Sequence, residues 1–194
     1  MVVKKNKPDL REVLAREPAI RLYGLVDDAL LGRFLEQLRH VRSQRELVVL
    51  ELSTSGGDAD VARRIAEEIR LCREFGGMDL YFVGKGMVYS AGVMIMAAFP
   101  VPNRYLSRDT VLLVHEWQIE KDIRFAGPLR VCVSGANDFL AELEIARQME
   151  QQTFTDLLRG SRLSLAQLTE QLSRADWYLL AQEAAQLELV AGLL

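Results

Sequence analysis

Leu47-Val48-Val49-Leu50-Glu51-Leu52, followed by Ser53-Thr54-Ser55-Gly56-Gly57, is the stretch on which the fold reading turns. Its first part is apolar at odd and even positions alike, apart from Glu51. A strand with that pattern has no solvent face, which predicts a strand covered on both sides, as in a parallel sheet. The glycines then break the run. From Asp58 to Phe75, Val61, Ala62, Ile65, Ile69 and Cys72 share one stripe, with Arg63, Arg64, Glu67 and Glu68 facing away. That spacing predicts an amphipathic helix.

The same alternation extends in both directions. Upstream, Ala19–Tyr23 reads as a short strand. Asp27 or Asp28 can cap a helix whose Leu30, Leu31, Phe34, Leu35, Leu38 and Val41 recur at helical spacing. Downstream, Gly76-Gly77 ends the helix and Leu80–Gly84 supplies a strand. The apolar run Val93–Phe99 supplies a helix, which Pro100 and Pro102 stop. Tyr105–Leu106 and Thr110–Val114 read as further strands. Alternation of this kind predicts an α/β fold with right-handed crossovers and helices packed on a parallel sheet. Beyond His115 the character changes. A mixed stretch from Glu116 to Ser134 gives way to a long helical pattern from about Ala136 to Leu158. A short helix from a Ser164 cap to Leu172 follows, then a last one over about Leu180 to Leu187.

The chain has 194 residues, 49% hydrophobic and 26% charged, with a net charge of −3. Such a length and composition fit one domain with a substantial core. The charge balance argues against nucleic acid as a partner, since Lys4, Lys5 and Lys7 form only a short basic start. No apolar run has the length of a membrane span, and Met1 to Pro18 lacks a signal-peptide core. Cys72 and Cys132 have neither metal-ligand nor disulfide spacing. Both are expected to be reduced, buried small hydrophobes of a cytoplasmic protein.

The chemistry gathers at predicted strand ends, where open α/β folds place their functional residues. Three loops qualify: Ser53–Gly57, Lys85–Ser90 and the segment at His115. A serine at a strand-to-helix turn, such as Ser90 in Met87-Val88-Tyr89-Ser90-Ala91-Gly92, is common for structural reasons alone, because serine is a favoured helix cap. Its position also gives it a helix N-terminus with unpaired N–H groups, which can hold an oxyanion. His115 is the residue type suited to accept its proton, whereas His40, the other histidine, lies on a polar helix face. A carboxylate to fix the imidazole tautomer is still needed, and composition alone leaves Glu116, Asp122, Asp138 and Asp176 open.

These residues carry a family resemblance. Ser-Gly-Gly before a helix, then Ser-Ala-Gly, then a strand ending in histidine resembles the proteolytic subunit of the ATP-dependent Clp protease. Asp176-Trp177-Tyr178-Leu179-Leu180-Ala181-Gln182-Glu183-Ala184 resembles that family too, and the separation of Ser90 and His115 (115 − 90 = 25) fits it. The likeness runs from about Ala19 to Val190. It implies a Clp/crotonase-like core with helices packed on it and a protruding helical handle over about residues 116–160, all in one domain of residues 1–194 with residues 1–18 as an N-terminal segment. It implies a serine endopeptidase acting on peptides or unfolded proteins, with Ser90 as nucleophile, His115 as base and Asp176 orienting it. The oxyanion hole would be the backbone N–H groups of Gly57 and Ala91. No metal or organic cofactor is implied. The implied partners are further copies in a heptameric ring, one or two rings deep, and an ATP-driven unfoldase of the AAA+ class.

The chain departs from the family in several places. Thr54-Ser55-Gly56-Gly57 stands where Ser-Pro-Gly-Gly is usual, and Glu51 where an aromatic residue often lines the unfoldase-docking pocket. His115 is followed by Glu116-Trp117, and Arg174-Ala175 replaces an acidic–basic pair. A non-catalytic ring subunit is therefore the competing expectation. A Ser–Lys hydrolase of the signal-peptide-peptidase type, with Lys85 or Lys121 as base, and a crotonase-type acyl-CoA enzyme are the others.

Overall fold

Strand β1 (Ile20–Tyr23) pairs in parallel with β2 (Leu47–Thr54), and β2 with the long β3 (Asp79–Tyr89). The computed structural model describes residues 18–42 and 47–194, so the expectations for Lys4, Lys5, Lys7 and most of the N-terminal segment lie outside the described residues. Among these, seven strands form one mixed sheet in which the parallel order is β1-β2-β3-β4-β7, with β4 at Arg104–Leu106 and β7 at Gly192–Leu193.

Strand β3 is the pivot of the sheet. Its first half pairs through Phe82–Gly84 with β4, and its last residues, Met87–Tyr89, pair with β5 (Val111–Val114). Between the halves its register against β2 slips by two residues, from Leu52 opposite Gly84 to Thr54 opposite Val88. The stretch Lys85–Tyr89, expected as loop, is therefore strand, because both halves find ladder partners. The second departure is β6 (Trp177–Leu180), which runs antiparallel to β5. The apolar run Val111–Val114 would otherwise be a sheet edge, and β6 covers it.

Helices α1 (Asp28–Val41) and α2 (Ala59–Glu74) start on aspartate caps. Asp27 Oδ1 accepts from Leu30 N at 2.8 Å, and Asp58 Oδ1 accepts from Asp60 N at 2.8 Å and Val61 N at 3.0 Å. Such caps satisfy backbone donors that the helix itself cannot. Helix α3 (Ala91–Ala97) is buried along its whole length. Helix α4 (Leu129–Leu158) has 30 residues, a length of about 45 Å at the standard rise. It begins at Leu129, earlier than the expected Ala136, because Pro128 serves as its cap and Val131 and Cys132 already donate to the Pro128 carbonyl. Cys132 consequently sits on this projecting helix and is half-exposed, not buried as expected, whereas Cys72 is buried. Helices α5 (Leu165–Leu172) and α6 (Ala181–Gln186) complete the order.

Arg104 locks the helix ends to the sheet. Its side chain is 1% exposed and bonds only to backbone carbonyls. Nε donates to Phe99 O, Nη1 to Leu157 O and Leu189 O, and Nη2 to Ala97 O and Asp156 O, at 2.7–3.3 Å. All five guanidinium donors are thereby used. Several of these carbonyls lie at the C-terminal ends of α3 and α4, where the helix dipole favours a cation. Burial pushes the guanidinium down to about 10, which leaves it charged near neutrality.

Candidate active site

Ser90 stands at the hinge between β3 and α3 with φ 52° and ψ −113°, a conformation non-glycine residues rarely adopt. Two backbone bonds hold it there: its N–H donates to Leu113 O at 2.8 Å, and its carbonyl accepts from Val93 N at 2.9 Å. Although Ser90 occupies the cap position of α3, its hydroxyl makes no capping bond. Strain at a fixed backbone, with the side chain left unused, is the pattern of a residue positioned for chemistry.

The glycine loop leans on this serine. A Cβ on Gly56, at φ 102°, would lie 2.9 Å from Ser90 Cβ and 3.5 Å from Ser90 Oγ. A Cβ on Gly57 would lie 2.3 Å from the Val26 carbonyl oxygen. The loop is pinned to that residue on both sides, with Val26 N donating to Gly56 O at 2.9 Å and Asp58 N to Val26 O at 2.8 Å. Thr54 Oγ1 accepts from Gly56 N at 3.1 Å, a local turn that stands in for the missing proline. Ala91 is the first residue of α3, so its N–H has no acceptor within that helix.

A cleft of about 580 Å³ joins these elements and is lined by Gly57, Ser90, Ala91 and His115. Its apolar wall includes Met94, Trp117, Ile145 and Met149, with Asp60 and Arg63 among its charged residues. The sequence reading did not anticipate this wall. Helical spacing could have pointed to it: Met94 follows Ser90 by one turn, and Ile145 and Met149 are a turn apart on α4.

His115 directly follows β5, and its Nδ1 lies 2.6 Å from the Glu116 carbonyl oxygen. A carbonyl can only accept, so Nδ1 carries the proton and Nε2 is left as the basic nitrogen. Asp176 directly precedes β6. The last pair of that ladder is Val114 with Trp177, so continuing the register sets His115 opposite Asp176. The Asp176 side chain is exposed and, among the described residues, makes no hydrogen bond to His115. The structure thus brings Ser90, His115, Gly57 and Ala91 to one cleft, and leaves Asp176 next to it without closing the last contact. Glu116, Asp122 and Asp138 are exposed and do not line the cleft. Neither does either lysine: Lys85 pairs with Glu51, and Lys121 with Glu142. A Ser–Lys pair has no support in this arrangement. His40 is exposed on α1, as expected.

The family model for Clp protease matches residues 3–194. The chain belongs to the Clp protease family. Among solved structures, a point mutant of ClpP1 from Listeria monocytogenes is similar at a TM-score of 0.67 and 21% identity, over 90% of each chain. At that identity the likeness speaks for the fold, and it agrees with a Clp-type sheet with helices packed on it. No curated protein matches this Clp protease chain. Among the described residues no helix is long and apolar enough to cross a membrane.

Proposed function

We propose that this Clp protease chain is a serine endopeptidase that cleaves peptides or unfolded proteins inside a ring of its own copies. The observation that carries the reading is the strained, uncapped Ser90 at the N-terminus of α3, facing the same cleft as His115. Ser90 Oγ attacks the scissile carbonyl while His115 Nε2 takes its proton. The oxyanion that forms is met by the N–H groups of Gly57 and Ala91. His115 then passes the proton to the leaving amine, and water releases the acyl group from Ser90 by the reverse route. Asp176, opposite His115 in the sheet register, is the carboxylate that the family resemblance places beside that ring.

Ring formation is supported by membership of the family and by the exposed apolar residues of α4, among them Leu129, Val133 and Leu140. An AAA+ unfoldase is the partner the family implies. On the sheet face where the resemblance places its docking pocket, Glu51 pairs with Lys85 beside Val49, Val83 and Tyr105. A partner would therefore meet an ion pair where an apolar pocket is usual.

A fluorophosphonate probe tests the chemistry: the assembled wild type is expected to be labelled at Ser90, and Ser90→Ala not at all. The exposed position of Asp176 favours a second reading, a ring subunit without activity of its own. An assembled wild type that resists labelling, but joins mixed rings with an active paralogue, decides for that alternative.

A further inference from the structure

The peptide unit that links Glu116 to Trp117 is held from both sides. Its carbonyl oxygen accepts a hydrogen bond from His115 Nδ1 at 2.6 Å, and its N–H, on Trp117, donates to Glu150 Oε1 at 2.6 Å. A peptide group is planar and polarisable, so the two bonds are coupled: a carboxylate on the N–H side makes the carbonyl a stronger acceptor. We infer that Glu150, acting through the Glu116–Trp117 peptide, is the positioning residue that fixes the tautomer and orientation of His115. This rests on the reading of Ser90 and His115 as an acyl-transfer pair.

The placement of Glu150 is suited to the task. It follows Met149, which lines the cleft, and it is half-buried on α4. The nearest cation along the helix, Arg147, is bonded to Glu144 at 3.0 Å. Among the described residues Glu150 has no salt-bridge partner, so its charge is directed to the Trp117 N–H. A carboxylate that reaches a histidine through an intervening group is a familiar way of fixing which ring nitrogen carries the proton. Here the intervening group is main chain. The role usually given to a carboxylate in direct contact is thereby shared: Asp176 provides charge across the ladder, and Glu150 provides the hydrogen-bond direction.

The test uses both the spectrum and the chemistry of the full-length protein. With only His40 and His115 in the chain, nitrogen-15 labelling of histidine gives two resolvable rings. His40, whose Nδ1 lies 2.8 Å from Glu36 O, serves as the internal control. Under alkaline conditions wild-type His115 is expected to be mainly the Nδ1–H tautomer. Glu150→Ala should move His115, and not His40, toward the Nε2–H form, and slow fluorophosphonate labelling about tenfold. Glu150→Gln keeps an oxygen that can accept from Trp117 N–H and should stay within about threefold of wild type. Thermal melts of both variants check that the fold is retained, and Trp117→Pro, which deletes the donor itself, should reproduce the tautomer change. An unchanged His115 tautomer in Glu150→Ala, with Ser90-dependent labelling intact, overturns the positioning role and leaves acyl transfer standing. A shifted tautomer in a protein whose wild type never labels does the reverse.

Discussion

Helices α3 and α4 meet at the cleft, yet every residue of α3 is buried, whereas α4 buries Phe154, Leu157 and Leu158 near its end and leaves most of its length in water. The contrast is one of what each helix can tolerate. In α3 even the absence of a side chain is used: a Cβ on Gly92 would lie 2.4 Å from Thr54 Cγ2, so the helix sits directly on β2. In α4, Leu129 is 84% exposed, Leu140 62% and Val133 59%. Under the proposed ring, these are the apolar residues that a neighbouring copy would cover. The buried helix is specified by its packing within this chain, whereas most of the projecting one makes no such packing.

Three substitutions can break or sharpen that contrast. The largest effect is expected at the root of both helices. Arg104→Met should destabilise the protomer by about 3–5 kcal/mol, since it leaves interior carbonyls of α3, α4 and the C-terminal segment without donors. Chemical denaturation measures it, and a loss below about 1 kcal/mol would mean that water replaces the guanidinium. Next comes Gly56→Ala, which combines a left-handed φ with a Cβ pressed on Ser90. A cost of about 1–3 kcal/mol and loss of Ser90 labelling are expected, and a variant labelled at the wild-type rate would show that the loop can retreat. The smallest effect on stability belongs to α4. Leu140→Glu should change protomer stability by no more than about 0.5 kcal/mol, as expected for an exposed site, while sedimentation shows the assembly shrinking. If the particle keeps its mass, Leu140 is not part of the covered surface.

The alternation of strands and helices was legible because its signals are local. Leu47–Leu52 is apolar on both faces, Asp27 and Asp58 cap the helices they precede, and the stripe from Val61 to Cys72 repeats at helical spacing. Ser90, His115 and Gly57 could be found for a related reason, since each directly follows or joins an element whose pattern is strong. The departures are non-local. Nothing in Lys85–Tyr89 announces that β3 trades β4 for β5 as its neighbour, because that depends on strands some twenty residues further on. Trp177–Leu180 reads as strand only once β5 is there to pair with it. The start of α4 was hidden by Val131 and Val133, whose β-branching disguises a helical turn on a proline cap. Glu150 was invisible for the same kind of reason, as it reaches the segment after His115, 33 residues away, through a backbone amide.

Arg104 also imposes an order in time. Its guanidinium gathers carbonyls from Ala97 and Phe99, from Asp156 and Leu157, and from Leu189, while its own carbonyl accepts from Ala191 N. A ribosome delivers those groups one after another, and the last of them emerges long after Ser90 has left the exit tunnel. Until Leu189 arrives, the knot behind α3 lacks one of its five bonds. The support behind the cleft is therefore completed by the C-terminal segment, not by the elements that carry Ser90 and His115.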